Sequence, residues 1–306
     1  MGRYIVYRLV LTFLVLIGVS IFVFLMIRLI PGDPAELLAD QWATKEDIEL
    51  LRKNWGLDKP IMVQYLVFMN NLLHGNLGNS VTSNMPVTKE IAARFPNTIK
   101  LAVTGTVIAV IIGSLAGIVS AAKPYSAFDN ISMVLALVGV STPAFWLGLM
   151  LILLFAVKLD WLPSTGAATM KHLILPSITL GLLTAGVIAR QTRSSMLETL
   201  QQDYIATARA KGLKETAIIY RHALKNALIP VVTIVGLQFG HLLGGAVLVE
   251  SVFSWPGMGR LLVDSIFTRD YPIIQGVVLI FATTFSLVNL GVDLLYGYID
   301  PRIKYE

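Results

Sequence analysis

Long apolar stretches dominate the sequence, and shorter segments between them collect most of the charged residues. About 20 consecutive apolar residues are enough to cross the hydrocarbon of a bilayer, so each stretch of that length is a candidate membrane span. Six such stretches occur, at residues 9–30, 99–122, 131–157, 173–188, 229–249 and 274–298, and the fourth is the shortest. The pattern predicts an all-α membrane protein with six transmembrane helices.

Basic residues near the ends of these stretches predict the orientation of the chain, because short cytoplasmic segments retain Lys and Arg. Such residues stand before the first stretch and after the second, fourth and sixth: Arg3, Arg8, Lys123, Arg190, Arg193, Arg302 and Lys304. Both termini should therefore be cytoplasmic, with a loop outside the membrane after the first helix. That helix is too long for a secretory signal core, so we expect an uncleaved anchor.

The outer loop, residues 31–96, has the composition of folded protein. Charged and apolar residues mix between Glu46 and Lys53 in the manner of a short amphipathic helix. Turn-forming residues bracket this helix on both sides. Two interpretations stay open, a passive loop or a structured element that caps a pore mouth or forms a docking surface.

Composition supports a membrane protein and excludes several kinds of chemistry. Of the 306 residues, 55% are hydrophobic and only 14% are charged, which is unusual for a soluble domain. The absence of cysteine excludes disulfides, thiolate metal sites and cysteine nucleophiles. The net charge of +5 fits basic cytoplasmic loops, so we do not expect nucleic acid binding.

The sequence also lacks the motifs of common enzymes. It contains no Gly-x-x-x-x-Gly-Lys-Ser/Thr phosphate loop, no His-Glu-x-x-His and no Gly-x-Ser-x-Gly. Its four histidines, His74, His172, His222 and His241, lie in different segments. We therefore expect no catalytic residues, no metal site and no cofactor held by this chain.

The segment 190–229 carries too many charges to cross the membrane, yet its pattern indicates ordered helices. Asp203 can cap a helix that begins at Tyr204, and Gly212 suits the left-handed residue that ends many helices. A second helix should follow Glu215 and lead to Pro230 at the fifth span. Small residues lie on top of this helix-turn-helix: Ala206, Ala208 and Ala210. A compact helix-turn-helix of this kind, which we call the knob, is suited to bind in a cleft of another protein. The alternative interpretation is a basic loop that only fixes the topology of the chain.

Two blocks in this segment carry a resemblance to a known family. They are Tyr204-Ile205-Ala206-Thr207-Ala208-Arg209-Ala210-Lys211-Gly212 and Arg221-His222-Ala223-Leu224-Lys225-Asn226-Ala227-Leu228-Ile229-Pro230. Together they resemble the EAA loop of ABC-importer permeases in its peptide-permease form. Family-like segments occur elsewhere in the family's order: Pro31-Gly32-Asp33-Pro34, Phe95-Pro96-Asn97-Thr98, the block from Glu250 to Gly259, Arg269-Asp270-Tyr271-Pro272 and Asp300-Pro301-Arg302-Ile303. The resemblance is to the first permease subunit of dipeptide, oligopeptide and glutathione importers.

This resemblance implies a type I ABC importer permease fold and a docking role for the loop. The residues implied in ATPase coupling are Tyr204, Ala206, Thr207, Ala208, Arg209, Ala210, Lys211, Gly212, His222, Leu224 and Pro230. Two positions depart from the general signature, because Ala206 replaces its Glu and Lys225 replaces its Pro. No role borrowed from that Glu can be assigned. The implied division is an N-terminal helix and outer loop at residues 1–94, a permease core at 95–298 and a cytoplasmic tail at 299–306.

The resemblance also implies partners in a bacterial cytoplasmic membrane. They are a second homologous permease, two cytoplasmic ATPases that bind ATP and Mg²⁺, and an extracytoplasmic peptide-binding protein. The implied substrate is a short peptide, namely a dipeptide, oligopeptide or glutathione, with a nickel or other metal chelate as the alternative within the family. An ion-coupled secondary transporter is the alternative from another class, but it predicts inverted repeats or intramembrane acids, and neither is evident.

Polar residues inside the spans are candidates for a translocation path, since such residues usually face a bundle interior or a water-filled cavity. The candidates are Gln238, His241, Ser141, Thr142 and Asn289. For Gln238 and His241, pore lining and inter-helix hydrogen bonding both stay open. Asp293 lies close to the cytoplasmic end of the sixth span, where an ion pair or contact with solvent is expected.

Overall fold

The structure is a computed structural model that describes residues 2–29, 44–54 and 58–299. Its helices are α1 (Gly2–Leu29), α2 (Lys45–Asn54), α3 (Ile61–Leu73), α4 (Val87–Ala122), α5 (Ala127–Ser141), α6 (Ala144–Leu151), α7 (Lys171–Leu200), α8 (Asp203–Ala210), α9 (Leu224–Val252), α10 (Met258–Phe267) and α11 (Tyr271–Ile299). The family-like segments at residues 31–34 and 300–303, and the charges of Arg302 and Lys304, lie outside the described residues. No strand occurs within the described ranges.

The predicted spans correspond to five long apolar helices and one bent pair. Helices α1, α4, α7, α9 and α11 are long and apolar enough to cross a membrane. The third predicted span is α5 followed by α6 and a π-helical stretch, Ile152–Lys158, and it bends by 106° at the break. Pro143 precedes α6 and has no N–H to continue the hydrogen bonding of α5. The predicted break at Ser141-Thr142-Pro143 is thus confirmed.

The fourth predicted span is much longer than the sequence indicated. We expected a short span at residues 173–188 with the helix ending before Arg190, but α7 runs to Leu200. The charges that end the apolar stretch do not end the helix, because Arg190 is exposed and Arg193 forms an ion pair. This helix is also the most buried of the five continuous spans.

Helices α4 and α7 pack closely through small residues that the sequence analysis did not single out. A Cβ atom on Gly113 would lie 2.7 Å from the carbonyl oxygen of Ala185, and one on Gly117 would lie 2.6 Å from that of Ala189. Gly113 and Gly117 form a Gly-x-x-x-Gly pair, which lets helix backbones approach directly. The larger core beside this contact is built from α4, α7 and α9 around Leu101, Leu175, Leu180, Leu243 and Trp255.

The amphipathic helix expected in the outer loop is confirmed as α2, and its first turn is capped. The Asp47 carboxylate accepts hydrogen bonds from the Thr44 N–H and hydroxyl, and the Thr44 hydroxyl accepts one from the Asp47 N–H. The end of the loop is tied to the bundle, because the Ser80 hydroxyl donates to the buried Asp270 carboxylate just before α11. Leu77 packs against the cluster that contains Ile273 and Val277 of α11, so this end of the loop is held on the bundle.

Helix α1 lies beside α11 and is fixed to it at both ends. Arg8 forms an ion pair with Asp293 at 2.8 Å, which confirms the ion pair expected for Asp293. Near the other end, the Gln275 side-chain amide donates to the carbonyl oxygen of Val23.

The helix bundle has two ends, which we call the α8 end and the α10 end after the short helices located there.

Candidate functional site

Helix α8 is a two-turn helix that lies across the end of the bundle, between α7 and α9. Its N-cap is Gln202, whose backbone is extended, so the predicted Asp203 cap is wrong by one residue. Asp203 occupies the first helical position, and no side chain caps the helix. A carboxylate in the first turn still stabilises the positive end of the helix dipole.

Gly212 ends α8 in the manner that the sequence predicted. Its φ angle is +76°, in the left-handed region that glycine adopts without a Cβ clash. The Gly212 N–H donates to the carbonyl oxygen of Arg209 at 2.9 Å, and the Leu213 N–H donates to that of Ala208 at 3.4 Å. These two bonds form a Schellman motif, which satisfies the last carbonyl groups of the helix.

One face of α8 is held by a small apolar cluster. Ile205 and Ala208 are buried against the ends of α4, α7 and α9 and the turn before α9; the other buried members are Ala121, Met196, Ile218, Ala223 and Ala227. The predicted position of Ala208 on top of the knob is therefore wrong, since its methyl group packs inward. Ala206, Thr207, Ala210 and Lys211 are exposed on the outward face.

The predicted second helix of the helix-turn-helix is the beginning of the fifth span. A short turn, Glu215–Ala217, and a π-helical stretch, Ile218–Ala223, run directly into α9. Pro230 consequently lies inside α9 instead of at its start. His222 and Leu224 are half-buried at this junction.

Two polar contacts link α8 to the turn and helix on its C-terminal side. The Asn226 side-chain amide donates to the Tyr204 hydroxyl at 2.8 Å, which ties the start of α8 to α9. Arg209 pairs with Glu215 across the Gly212 turn at 2.8 Å. Both of these charged groups are largely exposed, so the ion pair contributes at most about 1 kcal/mol. The apolar cluster therefore supplies most of the attachment.

A bidentate ion pair fixes the helix that leads into α8, and sequence reasoning missed it. Arg193 of α7 donates from Nε and Nη2 to the two carboxylate oxygens of Asp129 at 2.6 and 2.7 Å. Asp129 is buried and also accepts the backbone N–H of Tyr125, while the Ser126 hydroxyl caps α5. The connection between α4 and α5 is thereby attached to the α8 end of α7.

The predicted path residues fall into two groups that lie in different parts of the fold. Ser141 and Thr142 stand at the bend between α5 and α6, beside an open pocket of about 410 Å³ that Phe145 and Trp146 help to line. The Thr142 hydroxyl donates to the carbonyl oxygen of Val138, so it is satisfied within its own helix.

The second group is on α9 and α11. The exposed His241 ring meets Phe285 edge-on, with 6.0 Å between ring centroids. Asn289 lies one turn beyond Phe285, and its buried Oδ1 atom has no hydrogen-bond partner among the described residues. Gln238 is half-buried on α9. His241 is thus an exposed polar group within an apolar helix, whereas the Asn289 oxygen is enclosed by the protein.

The buried carboxylate of Glu250 connects separate segments at the α10 end. It belongs to the block from Glu250 to Gly259, to which the sequence assigned no role. Glu250 accepts the Thr98 hydroxyl at 2.7 Å and the Arg260 backbone N–H at 3.0 Å. A Cβ atom on Gly257 would lie 2.2 Å from this carboxylate, so the chain must have glycine there. The signal available in the sequence was an acid at the end of an apolar stretch with glycines seven and nine residues later.

Comparison with known proteins identifies the family. Residues 109–305 match the family described as binding-protein-dependent transport system inner membrane component, and residues 1–102 match the N-terminal part of such membrane components. The chain belongs to this family. It is an inner membrane protein and a transport subunit of an ABC transporter, not itself an enzyme.

Two relatives share about half of the permease sequence. The glutathione transport system permease protein GsiC of Pectobacterium atrosepticum is 53% identical over 291 residues, which cover 95% of each chain. The protein of the same name from Escherichia coli K12 is 49% identical over 306 residues and 100% of each chain.

Solved structures support the fold. A chain of the MetNI methionine ABC transporter, from a study of its inward-facing conformations, has a TM-score of 0.60 at 17% identity and covers 69% of this permease and 96% of that chain. A chain of an amino acid ABC transporter with histidines has a TM-score of 0.53 at 16% identity, with 71% and 95% covered. The predicted permease fold is confirmed.

Proposed function

We propose that this permease imports short peptides of the glutathione type. The observation that carries the proposal is the 49% identity over the full length of both chains with a permease named for glutathione transport. The matched region covers the whole of both chains and therefore includes every span. It favours a short peptide over a metal chelate.

The partners in this proposal are a second permease, two cytoplasmic ATPases that bind ATP and Mg²⁺, and a binding protein outside the membrane. In this proposal both termini and the α8 end of the bundle face the cytoplasm, and the basic residues Lys123 and Arg193 near that end support this orientation. The chain itself needs no cofactor, because nucleotide chemistry belongs to the ATPases.

Helix α8 is the element through which an ATPase moves the spans. Its outward face offers small and basic groups, Ala206, Ala210 and Lys211, beside the exposed ring of Tyr204. Its inward face is packed on residues of α4, α7 and α9. A displacement of α8 is therefore passed to three spans, and alternating access of a central path results from their movement.

His241, Gln238 and Asn289 belong to that path in this proposal. Exposure of an imidazole halfway along a membrane helix is costly in lipid, which supports a water-filled or partner-facing environment for His241. The buried Asn289 Oδ1 atom, which has no partner among the described residues, is an acceptor that a movement of α9 against α11 would make available to a water molecule or a peptide N–H.

Uptake of isotope-labelled glutathione tests the substrate. The complete transporter, reconstituted with its binding protein and supplied with ATP, should accumulate labelled glutathione, and an excess of unlabelled nickel chelate should not compete. Competition by the chelate but not by short peptides would refute the proposed substrate. Absence of any ATP hydrolysis in the purified assembly would refute the transporter assignment instead.

A further inference from the structure

Helix α3 presents an apolar surface that no described residue covers. None of its 13 residues is buried, and Met62, Val63, Leu66 and Val67 are between 38% and 66% exposed. At 1.5 Å per residue the helix is about 20 Å long, which is too short to cross about 30 Å of hydrocarbon. A helix of this composition in water would be an aggregation hazard.

The contacts of α3 place it beside the membrane-spanning part of α1. The Tyr65 hydroxyl and the Ser20 hydroxyl of α1 share a hydrogen bond of 2.8 Å. Tyr65 and Phe68 also contact Phe24 of α1, with ring centroids 5.2 and 5.6 Å apart. The Ser20 hydroxyl donates to the carbonyl oxygen of Ile17 and therefore accepts from Tyr65, so both hydroxyl groups are satisfied within the protein and are suited to surroundings without water.

The depth of these contacts is set by the geometry of α1. Near this end of α1, Met26 packs against Tyr271 and Ile274 at the beginning of α11, and Arg28 is the first charged residue of the sequence after Arg8. With a rise of 1.5 Å per residue, Phe24 and Ser20 lie about 6 and 12 Å before the position of that first charge. Helices that lie in a membrane interface are buried to about 5–10 Å.

We propose that α3 is embedded in one leaflet of the bilayer, at the α10 end, and that lipid acyl chains cover its exposed face. Ile21 and Phe22 of α1, which are close in sequence to the residues that contact α3, are exposed apolar side chains too, as expected for a span that faces hydrocarbon. The segment between the first two spans thus returns into the membrane before it reaches α4. This inference concerns the bilayer alone and stands independently of the transported substrate.

Spin labelling of the complete transporter in lipid nanodiscs tests this inference. The chain has no cysteine, so Leu66→Cys, Phe13→Cys and Glu49→Cys each accept a single nitroxide. Phe13 is an exposed reference within the span of α1, and Glu49 is an exposed reference on the polar helix α2. The collision rates of each label are measured with oxygen, which concentrates in hydrocarbon, and with a water-soluble nickel chelate.

The label at Leu66 should favour oxygen over nickel several-fold, as the label at Phe13 does, whereas the label at Glu49 should show the opposite preference. Equal nickel access at Leu66 and Glu49 would overturn the proposal, because α3 would then lie in water. Shielding of Leu66 from both reagents would also overturn it, since a protein partner would then cover the helix. Met62→Cys, one turn away, provides a second label if Leu66→Cys does not assemble.

Discussion

Replacing Gly212 with valine tests whether the turn that ends α8 is needed for transport. No atom lies within 4 Å of the position that a Cβ would take, so the side chain itself meets no obstacle. The whole penalty comes from the φ angle of +76°. Forcing a residue other than glycine into this region costs about 1–2 kcal/mol, and a β-branched side chain costs more.

This cost falls on the Schellman motif, which is the weakest part of the loop. A penalty of about 1.4 kcal/mol shifts the local equilibrium tenfold towards an unravelled last turn. Asparagine tolerates the left-handed region better than valine, so Gly212→Asn should retain much of the activity. Transport and copurification of the ATPases should therefore decrease in the order Gly, Asn, Val, while the amount of protein in the membrane stays unchanged.

Gly75 supplies a control with the same strain at the other end of the molecule. Its φ angle is +72°, and its Cβ position is equally open. Gly75→Val should leave copurification of the ATPases unaffected. Full uptake and normal ATPase copurification by Gly212→Val would refute the docking role of α8.

Four further substitutions test the contacts around this site. Arg193→Ala leaves the buried Asp129 carboxylate without its partner, so it should cost about 3 kcal/mol, seen as a lower unfolding temperature, with Arg193→Lys less severe. Gly117→Val drives its side chain into the backbone of α7 and should prevent stable insertion, seen as loss of the full-length chain from membranes, whereas a tolerated valine would contradict the packing. Glu250→Gln places a side-chain amide N–H beside the Thr98 hydroxyl and the Arg260 N–H, which are donors, and should lower the unfolding temperature by several degrees. An unchanged unfolding temperature would mean that the carboxylate is not needed there. His241→Ala should reduce uptake without reducing ATPase copurification, and loss of both would point to a structural role.

The spans and the helix stop at Gly212 were readable from the sequence because they depend on local composition. Twenty consecutive apolar residues identify a span wherever they occur. A glycine directly after a predicted helix indicates the left-handed residue that ends it. The end of α7 was misjudged because charge excludes lipid but does not end a helix. Asp203 was misplaced by one position, since Gln202 already has the extended backbone of the cap.

The contacts that hold the site together could not be predicted from local pattern. Asp129 and Arg193 are 64 residues apart, and Thr98 and Glu250 are 152 apart. Nothing in the spacing of either pair indicates that they meet, because the first contact depends on how α5 packs on α7 and the second on how α4 packs on α9. The inward orientation of Ala208 was missed for the same reason, since it is set by Met196 and Ile218 and not by α8 itself.

The two faces of α8 constrain how its partner could be exchanged. Residues on the inward face are shared with three spans, so a relative's whole loop transplanted into this chain would need matching residues at Ala121 and Met196. A transplant limited to exposed positions, such as Ala206, Thr207 and Ala210, would leave that packing intact. In the proposed docking of an ATPase on α8, recognition of a particular ATPase can thus diverge between related transporters while the membrane core stays the same.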